Sequence, residues 1–180
     1  MKKHLLLSGL LICVLLPGCS PRRVKTISPP PYPPPVTKGT VMGNVMLQGR
    51  MTYEGIKVTV GELPPVTTSP DGTYTVQDVP QGQHAIRAEK AGYLSAGGDL
   101  TIIGESETKT LATVTLVAGD LNGDGTINLF DLVLISTAFG KQDTASLVAD
   151  LNGDGTVNLF DLVLVSNNLY QSAPIMFESL

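Results

Sequence analysis

The chain has 180 residues, a formal net charge of −4 and no tryptophan, enough for one or two small domains once targeting and linker segments are set aside. The acidic balance argues against nucleic acid as a partner, and two cysteines give no disulfide framework.

The first segment, MKKHLLLSGLLICVLLPGCS, places Lys2 and Lys3 before an apolar run from Leu5 to Leu16. That run is shorter than the roughly 20 apolar residues a membrane-crossing helix needs, so it reads as an export signal over residues 1–18. Leu16-Pro17-Gly18-Cys19 resembles the bacterial lipoprotein cleavage box, which implies lipidation of Cys19 and attachment to a membrane through that anchor. Cys13 leaves with the signal, so Cys19 has no intramolecular partner and acylation explains it. The expected location is the cell surface, with plain secretion as the alternative.

Residues 19–38 contain SPPPYPPPVTK and form a proline-rich linker. Polyproline II rises about 3.1 Å per residue, so this spacer holds the rest of the chain on the order of 5 to 6 nm from the anchor. Arg22, Arg23 and Lys25 come directly after the lipid site and either lean on anionic head groups or serve as solubilising linker charge.

Residues 39–117 switch to short alternating segments rich in Val, Thr, Ile and Tyr. GTVMGNVML, GIKVTV, GTYTV, QHAIRAEK, DLTII and TKTLATVTLV are separated by Ser69-Pro70-Asp71-Gly72, Val79-Pro80-Gln81-Gly82 and Ala91-Gly92. Six or seven strands without helical period predict an antiparallel sandwich with Val58, Val60, Tyr74, Val76 and Ile86 in its core. The order Gly39-Thr40-Val41, Gly55-Ile56-Lys57-Val58, Asp71-Gly72-Thr73-Tyr74, Asp78-Val79-Pro80 and Ala91-Gly92-Tyr93 resembles the carboxypeptidase regulatory-like domain. The resemblance implies a prealbumin-like β-sandwich acting as a spacer, with no catalytic residue carried over.

From Val117 onward there are eight acidic residues against the lone Lys141, a block that repels itself unless a cation sits in it. DLNGDGTINLFD begins at Asp120 and DLNGDGTVNLFD at Asp150. Counted as loops, Asp120, Asn122, Asp124, Asn128 and Asp131 fall at positions 1, 3, 5, 9 and 12, as do Asp150, Asn152, Asp154, Asn158 and Asp161. Gly125 and Gly155 stand at position 6, where a calcium loop turns sharply, and the carbonyls of Thr126 and Thr156 at position 7. Calcium takes six to eight hard oxygens, and these offsets supply them, so two ions are expected.

An ordinary EF-hand ends its loop in Glu and enters it from a helix. Here position 12 is Asp, and Leu111–Gly119, LATVTLVAG, reads as strand. Residues 118–171 therefore resemble a dockerin domain, a small all-α unit of two F-hand calcium loops each followed by one helix. The expected architecture is multi-domain: an antiparallel β-sandwich, then this small dockerin, then a tail over 172–180.

The two helical segments, LFDLVLISTAFG and LFDLVLVSNNLY, carry more apolar residues than one face can bury. Leu132, Ile135, Leu162 and Val165 are expected inside, and the excess outside as a partner surface. The dockerin resemblance implies a cohesin-domain protein as partner, met by Leu129 and Phe130 with Ser136 and Thr137, and by Leu159 and Phe160 with Ser166 and Asn167. Between Asp120–Ser136 and Asp150–Ser166 the copies differ only at Ile127/Val157 and Ile135/Val165, so the partner should be able to bind in either of two orientations.

No enzyme activity and no small-molecule substrate are expected. His84 is the one histidine left after the signal, and there is no G-x-S-x-G, H-E-x-x-H or phosphate-loop motif. Two other readings stay open: a structural calcium-stabilised module without a cohesin partner, and a carbohydrate-binding accessory lipoprotein whose platform would rest on Tyr53, Tyr74 or Tyr93.

Overall fold

The computed structural model describes residues 37–104, 106–142 and 147–177. The signal segment, Cys19, nearly all of the proline-rich linker and the last three residues of the tail lie outside them.

The alternating pattern becomes two sheets. One is built on β1 (Lys38–Leu47), which pairs antiparallel with β4 (Thr73–Pro80) on one side. On its other side β1 takes two partners in turn, β7 (Thr108–Thr110) and β8 (Val114–Leu116), both parallel. The second sheet runs β3 (Val66–Thr67), β2 (Lys57–Val60), β5 (Gly82–Glu89), β6 (Ala96–Ile102) and β9 (Ile175–Met176). Period-two burial decides which side chains enter: in β4, Tyr74 and Val76 are buried while Thr73, Thr75 and Gln77 face outward. Val58, Val60, Tyr74, Val76 and Ile86 all lie in the core, as the alternation predicts.

Two short helices complete the order, α1 (Leu129–Ala138) and α2 (Leu159–Asn167). Each starts at an asparagine N-cap, Asn128 or Asn158, with Asp131 or Asp161 completing a capping box three residues on. Ile135 and Val165 are fully buried, and Leu132 and Leu162 pack against the same core.

The expected architecture, an antiparallel sandwich followed by a separate small all-α domain, is corrected here. The described part of the chain is mostly β with two short helices, and from residue 37 onward it is one compact unit. Its single core joins Val45, Leu47 and Leu116 of the strands with Ile127, Ile135, Val157 and Val165 of the loops and helices. The physical reason is size: helices of 10 and 9 residues have too little apolar surface between them to build a core of their own. The chain also returns to the sheet after α2, where β9 pairs in parallel with β6 at Ala96 and Gly97.

The turn after β1 is the main seam. Gly49 has φ +84°, and a Cβ there would stand 2.7 Å from Leu164 Cδ1, so only glycine lets the turn press against α2. Gln48 Oε1 accepts from Asn168 Nδ2 at 2.6 Å and from the Ala118 N–H at 3.0 Å. Asn168 also donates to the Ala118 carbonyl at 2.7 Å, which satisfies a side chain only 3% exposed. Among the described residues no helix is long and apolar enough to cross a membrane.

Candidate functional site

The two acidic loops, residues 120–131 and 150–161, have the same internal wiring. Asn122 Oδ1 accepts the Asp124 N–H at 2.9 Å, and Asp124 Oδ1 accepts the Thr126 N–H at 2.8 Å. Asn152 and Asp154 repeat both bonds at 2.9 Å. Each Asx side chain thus bonds the backbone two residues on, which curls the loop. Gly125 and Gly155, at φ +83° and +92°, provide the left-handed backbone of the sharp turn.

The last aspartate of each loop is its keystone. Asp131 is fully buried and its carboxylate accepts three backbone N–H groups: Leu121 at 2.8 Å, Asn122 at 3.2 Å and Asn128 at 2.9 Å. Asp161 does the same with Leu151 at 2.8 Å, Asn152 at 3.0 Å and Asn158 at 2.9 Å. One side chain therefore closes the loop and starts the helix.

The first aspartates differ. Asp150 Oδ1 accepts the Gly153 N–H at 2.8 Å and Oδ2 the Gly155 N–H at 2.9 Å. In the other loop Asp120 Oδ2 accepts from Gly125 at 3.1 Å, while Oδ1 is buried with no hydrogen-bond partner among the described residues. Burial pushes the Asp120 carboxyl upward, with the neighbouring charges of Asp131 and Asp124 adding to it and backbone hydrogen bonds opposing. The amide of Asn122 holds Asp124 below the ordinary carboxylate range, and those of Asn152 and Asn158 do so for Asp154.

The donor set fits a hard divalent cation such as calcium: all its members are oxygens, and a buried carboxylate oxygen left without a partner calls for a cation. Among the described residues no group of three or more His, Cys, Asp or Glu side chains is gathered as a metal cluster; Asp131 and Asp161 are turned to backbone donors, and each loop's other oxygens come from two Asp and two Asn side chains and a Thr carbonyl. A carboxylate oxygen has lone pairs for both an N–H and a cation, so these bonds do not disqualify it.

Beyond each loop an apolar surface opens. Leu129 and Phe130 are 63% and 70% exposed, Leu159 and Phe160 62% and 71%. Val133 and Val163 extend these faces one turn on, and Ser136, Thr137, Ser166 and Asn167 are exposed beyond them. The twelve expected ligand residues lie within the two loops, and the eight downstream residues stand exposed on the helices. Sequence reasoning missed Gln48, Arg50 and Asn168 and weighed Tyr93 only as part of a turn motif and as a carbohydrate platform, whereas the four lock the second loop and helix to the strands. The signal was a break in the repeat: Ala138 stands where the second copy has Asn168, and a buried polar residue needs partners elsewhere.

Residues 118–170 match the dockerin type I domain. No match is found among curated proteins. Among solved structures, a chain of a type II cohesin–X–dockerin complex from Acetivibrio cellulolyticus, a C-terminal interface mutant, is similar at 26% identity with TM-score 0.62. A chain of the N-terminal interface mutant of that complex matches at 26% identity with TM-score 0.61. Both alignments cover 74% of this chain and 97% of the other, so the likeness extends beyond the loops and helices into the strands.

Proposed function

We propose that this protein is a non-catalytic binding protein whose dockerin segment captures a cohesin-bearing partner, with one calcium ion in each loop. The observation that carries it is the pair of exposed Leu–Phe steps, Leu129-Phe130 and Leu159-Phe160, each placed on the first turn of a helix whose start is fixed by an acidic loop. Large apolar side chains this exposed mark a partner surface, and a buried aromatic anchor contributes more than a rim charge. The dockerin match over 118–170 and the likeness to chains of cohesin–dockerin complexes support cohesin as the partner class.

In calcium-loaded form Asp120, Asn122, Asp124, Asn128, Asp131 and the Thr126 carbonyl hold the first ion, and Asp150, Asn152, Asp154, Asn158, Asp161 and the Thr156 carbonyl the second. When bound, each ion would offset the mutual repulsion of its loop's carboxylates and so tighten the loop that orients the helix start. Ser136, Thr137, Ser166 and Asn167 then form the polar edge of each contact. The strands act as a rigid mount rather than a second binding site. With Cys19 lipidated and the linker extended, the mount displays the dockerin segment away from the cell surface, tethering whatever carries the cohesin.

A pull-down with an immobilised cohesin module tests this. Capture in calcium and release by chelator are expected. Calcium-dependent folding without capture would favour the purely structural calcium module instead.

A further inference from the structure

The two loops have the same residues at every oxygen-bearing position, so the repeat itself gives no reason for them to bind calcium unequally. Their surroundings do. The turn after β1 delivers Arg50 to the back of the second loop: Nη2 donates to the Asp150 carbonyl at 2.6 Å and Nε to the Leu151 carbonyl at 3.2 Å. The guanidinium also lies against Gly153, where a Cβ would stand 3.4 Å from Nη1. Tyr93 Oη, accepting from Nε at 3.1 Å, fixes its position. Among the described residues Arg50 makes no ion pair, so its charge is not cancelled by a carboxylate in contact.

The first loop is backed differently. The segment after α2 covers it with neutral backbone: the Ala173 N–H donates to the Gly125 carbonyl at 2.9 Å and the Ile127 N–H to the Gln171 carbonyl at 2.9 Å. Two cations, Arg87 and Lys90, share a cleft with it, but neither bonds to the loop, whereas Arg50 bonds to the first two residues of the second. Arg87 pairs with Glu89 at 2.7 Å, and Lys90 donates to the carbonyls of Glu54 and Gly55.

We propose that Arg50 makes the two loops unequal calcium sites, with the second loop binding more weakly because a fixed guanidinium is bonded to its first two residues. The inference rests on the reading that both loops take calcium. A unit positive charge fixed against the loop, in a water-like dielectric, weakens the binding of a divalent ion there about fivefold. Salt screens such an effect, whereas a purely mechanical role for Arg50 would be insensitive to salt and, by pre-forming the loop, would strengthen the site.

The amide resonances of Gly125 and Gly155 report the loops separately when the full chain is titrated with calcium and followed by two-dimensional NMR. The Gly125 signal should saturate at about fivefold lower calcium than the Gly155 signal. Arg50→Gln should close the gap by tightening the second loop, Arg50→Lys should keep it, and raising the salt should narrow it in the unaltered protein. Equal midpoints, Gly155 saturating first, or an unchanged gap in Arg50→Gln would overturn the inference. If Arg50→Gln does not fold, the salt series on the unaltered protein decides, a salt-independent gap counting against. Failure of both amides to respond to calcium would instead remove the calcium reading beneath it.

Discussion

The hydroxyl of Tyr93, on the strand side, donates to the carbonyl of Leu151, the second residue of the second loop, at 2.5 Å. Tyr93 is 5% exposed, so this bond is made out of water and its loss leaves a buried acceptor with Arg50 alone. Tyr93→Phe should destabilise the protein by about 1–2 kcal/mol. Tyr74 is the contrast: its hydroxyl is buried with no hydrogen-bond partner among the described residues, so Tyr74→Phe should cost less than about 1 kcal/mol. Urea unfolding of the two variants checks the difference, and equal losses would contradict it.

The same two residues set an alkaline limit. Burial pushes the hydroxyl pKa of both Tyr74 and Tyr93 above the ordinary tyrosine value. In the unfolded chain they ionise near the ordinary value of about 10, while the folded state keeps them neutral. The stability this contributes is complete below that pH and is lost as pH rises from there through the folded values. Unfolding midpoints should therefore fall above about pH 10, and midpoints that stay level there would contradict the assignment.

Gly49 tests the seam between strands and helix. A Cβ at φ +84° is strained and would strike Leu164 Cδ1, so Gly49→Ala should cost about 1–3 kcal/mol in thermal or urea unfolding. Wild-type stability in this variant would mean that the turn does not press on α2.

Asp131 and Asp161 separate loop architecture from metal binding. Each carboxylate accepts three backbone N–H groups, so removing either orphans them whether or not calcium is present. Asp131→Ala should lower stability by about 3 kcal/mol or more when measured with chelator, and Asp131→Asn, which keeps one acceptor oxygen, by less. Circular dichroism during urea unfolding gives both values. An Asp131→Ala protein as stable as the unaltered one in chelator would show that the residue matters only through a metal.

Much of this was legible because it is local. Period-two alternation placed Val58, Val60, Tyr74, Val76 and Ile86 in the core, and the duplicated spacing of Asp, Asn and Gly placed both loops before their helices. Ile135 and Val165 are inside as expected, and Phe130 and Phe160, which the dockerin resemblance assigns to a partner surface, are exposed. The separation into sandwich and helical unit was misread because the contacts that join them are not local. Gln48 meets Asn168 across 120 residues, and Arg50 meets Asp150 across 100. Single polar residues in a turn have no periodicity to betray such a partner. The strand Ile175–Met176 is two residues long, too short for any pattern, yet it extends a sheet edge.

The central claim is that each repeat presents its own apolar cohesin surface, oriented by calcium. Calorimetric titration of a cohesin module into the full chain, with calcium and with chelator, tests it most directly when the chain carries Ala at Leu129 and Phe130, at Leu159 and Phe160, or at all four. One-to-one binding in calcium that survives either pair, vanishes with all four and disappears in chelator is the predicted result. Binding that persists in chelator, or that survives all four substitutions, would contradict the claim.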